Sequence, residues 1–224
     1  MDLIASLEQG SRPAVKLCGP NSPDSARAIT SSGADLIGIN FWPSSPRFLA
    51  FDAACDLLRS LQLSAASSPA PVAVLVDPDD LMLDKIIASG LFAALQLHGD
   101  ESPARCAQIA RLGLPLIKAL SISSPDQIAT AALYPVRYLL IDAHDPVRRG
   151  GTGSFADWSL AARAAAQLTS HRILLAGGLN PSNVAAAIRA VYPAGVDSAS
   201  GVESAPGLKD PGLCAAFTQA AQTA

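Results

Sequence analysis

Two reactive side chains each close a short apolar run. Cys18 ends Ala14-Val15-Lys16-Leu17-Cys18, and Asp142 ends Tyr138-Leu139-Leu140-Ile141-Asp142. A thiol that has lost its proton is a base, and a carboxyl that has kept its proton is an acid. Set in one pocket, they would take a proton from one substrate atom and give one to another. Each residue also has a plainer reading. Free cysteine is usually a small buried hydrophobe, although a place at the end of a run, beside Gly19, favours exposure for Cys18. A thiolate needs a nearby cation. Lys16, on the same strand face, is one, but in a barrel that face is the interior. Asp142 is either a buried carboxylate paired to a cation or to backbone N–H groups, or a group held protonated by an apolar wall and able to act as a general acid.

A second set of residues could hold anions. Gly177-Gly178-Leu179-Asn180 follows one apolar run, and Ser200-Gly201-Val202 follows the next. Glycine lets backbone N–H groups approach an anion closely. Matching turns in consecutive units predict a phosphate site rather than two unrelated tight turns. Arg47 ends a loop stiffened by Pro43 and Pro46. Its planar fork suits a carboxylate, or it is a solvated surface arginine. His98, in Gln96-Leu97-His98-Gly99-Asp100, reads as a ligand-facing group or as a scaffold histidine bonded to Asp100, and Asp77 is equally ambiguous. Arg148-Arg149-Gly150-Gly151-Thr152-Gly153 lacks the Gly-Lys-Ser/Thr ending of a P-loop and reads as a mobile lid, its arginines facing an anionic substrate or solvent.

These residues need elements that bring them together. Short apolar runs at 14–18, 36–41, 72–76, 93–97, 115–119, 138–142, 172–176 and 195–199 alternate with Ala-rich helical stretches. Those stretches fall at about 23–32, 52–61, 79–89, 101–112, 125–133, from 157, after an Asn180-Pro181 cap, and at 211–221. Eight strand–helix units predict an α/β fold of one domain, a (β/α)8 TIM barrel over residues 14–224 behind an N-terminal leader at 1–13. In that fold every strand's carboxyl end faces one way, so Cys18 and Asp142 can share a pocket.

Composition narrows the function. Half of the 224 residues are hydrophobic, the formal net charge is −3, and no basic run stands out, which argues against nucleic acid as a partner. No apolar run is long enough to span a bilayer, and no signal peptide is evident. The four cysteines show no CxxC and no Cys/His pair at ligand spacing, so neither a disulfide framework nor a metal site is expected. Cys55, Cys106 and Cys214 fall in helical stretches and read as structural. The expectation is a cytoplasmic protein in a reduced compartment, with a small phosphorylated molecule as partner.

Taken together the motifs resemble phosphoribosylanthranilate isomerase, a tryptophan-pathway enzyme. The matches run in order from Val15-Lys16-Leu17-Cys18-Gly19, through Ser45-Pro46-Arg47, Gln96-Leu97-His98-Gly99-Asp100-Glu101 and Asp142, to Asp157-Trp158. They continue with Leu175-Ala176-Gly177-Gly178-Leu179, Gly195-Val196-Asp197, Ser200-Gly201-Val202-Glu203 and Lys209-Asp210. Pro20-Asn21 departs from the Ile/Leu-Thr more usual in the family. The resemblance implies a TIM barrel without cofactor or metal, acting as monomer or homodimer. The implied reaction is the Amadori rearrangement of N-(5-phosphoribosyl)anthranilate to 1-(2-carboxyphenylamino)-1-deoxyribulose 5-phosphate. It implies Cys18 as general base, Asp142 as general acid and Arg47 on the anthranilate carboxylate. His98, Gly177, Gly178, Asn180, Asp197, Ser200 and Gly201 complete the expected substrate-binding set. Two rivals are another phosphate-binding barrel isomerase or synthase, which would use two acids or Lys with Glu, and a silent barrel that only binds a phosphorylated metabolite or a partner protein.

Overall fold

A computed structural model describes Leu7 and residues 12–63, 68–142 and 158–224. Its centre is a closed barrel of parallel strands: β1 Ala14–Cys18, β2 Leu36–Asn40, β3 Ala70–Leu75, β4 Ala94–Leu97, β5 Leu116–Ser121, β6 Tyr138–Asp142, β7 Arg172–Ala176 and β8 Gly195–Ser198. The helices are α1 Pro23–Ser31, α2 Phe51–Ser60, α3 Asp80–Ser89, α4 Pro103–Ala110, α5 Pro125–Ala131, α6 Ser159–Gln167, α7 Val184–Val191 and α8 Pro211–Gln222. Local chemistry sets many of their ends. Ser22 Oγ accepts from the Ser25 N–H before Pro23 opens α1, and Asp79 caps α3 through Met82 N–H. Gly90 stops α3 in the left-handed conformation at φ 64°.

The period of two along each strand divides the core. Ala14, Leu36, Val72, Ala94, Ile117, Leu140 and Leu174 point into the barrel, while Val15, Leu17, Ile37, Ala73, Leu95, Leu139 and Leu175 pack under the helices. The barrel closes through β1 on β8, where Lys16 stands opposite Asp197. Few residues of the predicted leader are described. Among them, Leu7 is buried and its carbonyl accepts from Arg172 at the start of β7, while Arg12 grips Asp35 in two hydrogen bonds.

The predicted strands and helices are found, with two differences of consequence. Helix α7 begins after Asn183, one turn beyond the expected Asn180-Pro181. Asn180 instead makes a turn of its own, its Oδ1 accepting from the N–H and hydroxyl of Ser182. After β8 the chain forms a 3-10 turn, Ser200–Val202, then an antiparallel hairpin, β9 Glu203–Ala205 with β10 Leu208–Lys209, which periodicity did not predict. Strands of three and two residues are too short to display an alternation.

Candidate active site

The strand parity that fills the barrel with Ala14, Leu36 and Leu140 brings Cys18, Asn40 and Asp142 to the same interior at the carboxyl ends. There the described residues enclose a cavity of about 580 Å³. Of the predicted set, Cys18, Asp142, Arg47, His98, Gly177, Gly178, Asp197, Ser200 and Gly201 line it, and Asn180 does not. A groove of about 530 Å³ on the outer ring, between α2 and α3, contains no strand-end residue. The expected lid, Arg148 to Gly153, and Asp157 lie outside the described residues.

The β1–β8 seam builds the corner around Cys18. Lys16 is fully buried and its Nζ donates to Asp197 Oδ1 at 2.8 Å. Burial opposes its charge, yet Asp197 and the Cys18 sulfur outweigh burial and hold the ammonium above its ordinary range. Gly38 of β2 stands opposite Cys18 in register. A Cβ on Gly38 would lie 2.7 Å from Cys18 Sγ and 3.0 Å from Lys16 Nζ, so only glycine leaves room for both groups side by side. The thiol itself is pushed above its ordinary range: burial dominates, Lys16 and Lys209 pull it down, and Asp197 pushes it up. The cation that sequence reasoning required is therefore present, and in the free site desolvation still exceeds it. The other cysteines are buried thiols, Cys106 and Cys214 each pushed up to about 11 by burial.

Arg47 reaches the cavity across Gly19, whose positive φ of 84° and missing side chain let the arginine stem lie against the backbone; a Cβ there would fall 2.4 Å from Arg47 Cδ. Its Nε and Nη2 donate to Glu203 Oε1 and Oε2 at 2.7 and 2.6 Å. This bidentate bond holds the guanidinium above its ordinary range. Glu203 also accepts from Lys209 Nζ at 2.7 Å. Burial would raise the Glu203 pKa, but its two cations hold it below the ordinary carboxylate range.

The two Gly turns are shaped by different constraints. Gly177 and Gly178 adopt φ 97° and 65°, and a Cβ on Gly178 would meet nothing within 4 Å, so the turn faces open space. Gly201 is required by crowding instead: a Cβ there would fall 1.9 Å from the Leu179 carbonyl oxygen. Ser198 Oγ donates to that same carbonyl at 2.7 Å, which ties the turn after β7 to the end of β8.

At β4, His98 opens to the cavity among barrel-mouth atoms whose partial desolvation holds it below its ordinary pKa. Its Nδ1 faces Gln96 Nε2 at 3.3 Å, so its side-chain partner here is Gln96 rather than the expected Asp100. Gln96 Oε1 is buried without a hydrogen-bond partner. Asp77 is scaffold, its Oδ1 accepting from Asp100 N–H.

Sequence reasoning missed Gln96, Glu203 and Lys209 as site residues, and the Lys16–Asp197 pair as a unit. A lysine inside an apolar strand was the one available signal, because a buried ammonium demands a carboxylate partner. The assembled site offers a thiol and a carboxyl facing one cavity, a fixed guanidinium on one side and two Gly turns on another. Such a site can bind a molecule with an anion at each end and transfer protons between them.

The matches to known proteins agree with this geometry. The family model described as N-(5'phosphoribosyl)anthranilate (PRA) isomerase matches residues 15–220. An N-(5'-phosphoribosyl)anthranilate isomerase of Rhodopseudomonas palustris is 40% identical over 216 residues, 94% of this chain and 98% of that one. The crystal structure of the phosphoribosyl anthranilate isomerase from Thermotoga maritima superposes with a TM-score of 0.80 at 32% identity, covering 95% of this chain and 100% of that one. A structure of such an isomerase in complex with reduced 1-(o-carboxyphenylamino)-1-deoxyribulose 5-phosphate superposes with a TM-score of 0.77 at 31% identity, covering 95% and 100%.

Proposed function

The chain belongs to the N-(5'-phosphoribosyl)anthranilate isomerase family, enzymes of tryptophan biosynthesis, and on that footing we propose that its Amadori rearrangement runs on Cys18 as general base and Asp142 as general acid. The observation that carries the reading is the shared cavity: the thiol of β1 and the carboxyl of β6 face one space with Arg47 and both Gly turns. Its volume, about 580 Å³, lies within the range for small-molecule sites.

Asp142 gives its proton to the ribose ring oxygen. The C1'–O bond breaks, the anthranilate nitrogen shares the developing charge, and the sugar opens to a protonated Schiff base. The Cys18 thiolate then removes the proton from C2', and the electron pair moves through C1' to nitrogen to give the enolamine. Protonation at C1' and loss of the enol proton yield the ketone, with no net gain or loss of protons. Arg47 holds the ring carboxylate, and the turns at Gly177-Gly178 and Ser200-Gly201 hold the phosphate at the other end. Backbone N–H groups suit that task because they add no side-chain bulk. His98, which desolvation biases toward its neutral form, faces the cavity and hydrogen-bonds the sugar or its phosphate.

No group of three or more His, Cys, Asp or Glu that could hold a metal ion occurs among the described residues, and no described helix is long and apolar enough to cross a membrane.

The test is turnover of phosphoribosylanthranilate, followed by loss of its fluorescence, before and after alkylation of the enzyme. Alkylation at Cys18 should abolish activity, and a product analogue should protect the thiol. Full activity after alkylation of Cys18 would exclude it as the base.

A further inference from the structure

We propose that Glu203 is the positioning residue for Arg47: by gripping one edge of the guanidinium it turns the other edge to the substrate carboxylate. This rests on the reading of Arg47 as the carboxylate ligand. An arginine side chain has rotamer freedom that a ligand must remove on binding, and the cost falls when the protein has removed it beforehand. Arg47 is held at both ends. Its stem lies on Gly19, and Glu203 takes the Nε–Nη2 edge in a fork at 2.7 and 2.6 Å. A guanidinium has five N–H donors, so the outer Nη1–Nη2 edge remains for a second fork of the same geometry.

Glu203 is itself held in place. It belongs to the short β9, its side chain is 4% exposed, and Lys209 of β10 donates to its carboxylate at 2.7 Å. Lys209 Nζ also donates to the Ala199 carbonyl at 2.9 Å, one residue before the Ser200-Gly201 turn. The Lys209 N–H is fastened to Ser25 Oγ of α1. The hairpin thus ties the arginine at one end of the cavity to the turn at the other. Arg47, Lys209 and Glu203 together carry one surplus positive charge, which one substrate carboxylate would balance.

The experiment measures KM and kcat for phosphoribosylanthranilate and for its analogue built on aniline, which lacks the carboxylate. Glu203→Gln keeps the shape and loses the fork. It should raise KM for the carboxylate-bearing substrate about tenfold, the scale of a hydrogen bond to a charged group, and leave KM for the analogue and kcat for both nearly unchanged. Arg47→Ala should act in the same selective way and more strongly, and Glu203→Gln should add nothing in the Arg47→Ala background. An equal rise for both substrates, additive effects in the double variant, or an unchanged KM in Glu203→Gln would overturn the proposal. If Arg47→Ala itself fails to separate the two substrates, the carboxylate assignment of Arg47 falls first and this inference with it. Should Glu203→Gln not fold, Glu203→Asp keeps the buried charge beside Lys209 and shortens the arm. It is expected to show the same selective rise in KM, and wild-type KM in that variant would equally overturn the idea.

Discussion

Two of the buried lysine–carboxylate pairs among the described residues, each closed at 2.8 Å, do different things. Lys16–Asp197 sits inside the barrel on the β1–β8 seam, with the Cys18 sulfur beside it. Lys118–Glu101 sits outside it, because Lys118 follows the inward-facing Ile117 and the strand's period of two turns it toward the helices. There Lys118 Nζ also donates to the Gly99 carbonyl at 2.6 Å, and Glu101 collects the N–H groups of Asp77 and Gly99. Both pairs set a Coulomb gain against a desolvation cost. The difference lies in the third group each one touches. Beside a titratable thiol, the inner ammonium biases a proton. The outer ammonium also lies near a thiol, Cys106, but that thiol is buried away from the cavity and pushed up to about 11, and the outer pair's hydrogen bonds to backbone groups fasten the loops after β3 and β4.

The largest expected effect removes the proton-transfer groups that the inner pair serves. Cys18→Ser and Asp142→Asn should each lower kcat by about 10²–10⁴-fold with little change in KM, measured by steady-state turnover. If both folded variants turn over at near wild-type rates, the acid–base assignment is wrong.

Exchanging the lysines tests the comparison directly. Lys16→Met, made together with Asp197→Asn so that no charge is stranded, should cost about 10²-fold in kcat/KM at neutral pH through loss of thiolate. Because the folded thiol pKa is already above its ordinary value, the wild-type limb of kcat/KM should rise with pH into the alkaline range. Without Lys16, which pulls that pKa down, the limb should move further alkaline. Lys118→Met strands Glu101 and should cost about 3–5 kcal/mol in denaturant unfolding, with kcat of the folded fraction nearly unchanged. A large kcat loss in Lys118→Met, or an unmoved pH profile without Lys16, would erase the distinction.

A smaller effect is expected at the phosphate turn. Gly178→Asp adds a carboxylate where Gly178 faces open space and strains its positive φ. KM should rise strongly, about tenfold or more by loss of charge-assisted hydrogen bonds, and inorganic phosphate should lose its power to inhibit. The smallest concerns His98. Its folded pKa lies below the unfolded value, so the unfolded chain binds more protons as pH falls through about 6.5 and stability falls with it. His98→Gln should flatten that part of the stability–pH curve; an unaltered slope would mean that His98 titrates normally.

Much of the site could be read from local chemistry. Cys18 and Asp142 each end an apolar run, and strand period sends both inward. Gly177 and Gly178 were legible because positive φ is available to few other residues. The helix start expected at Asn180-Pro181 was misplaced for an equally local reason: Asn-Pro opens turns as readily as helices, and here Asn180 folds back on Ser182 and α7 begins only after Asn183. Gln96 carried no signal, since an amide in an apolar strand is as readily scaffold as ligand.

The sequence by itself determined the alternation of strand and helix, the turns between them and the residues at the strand ends, because each depends on neighbours a few positions away. Tertiary structure alone decided which charges meet. Lys16 and Asp197 are 181 residues apart, and Arg47 and Glu203 are 156 apart. Each pair forms only when the barrel closes and the hairpin after β8 folds back on the loop after β2. Any of several carboxylates could have neutralised a buried cation. The partner is chosen by strand register and by the space that Gly19 and Gly38 leave open, and neither is encoded in the residues next to the cation itself.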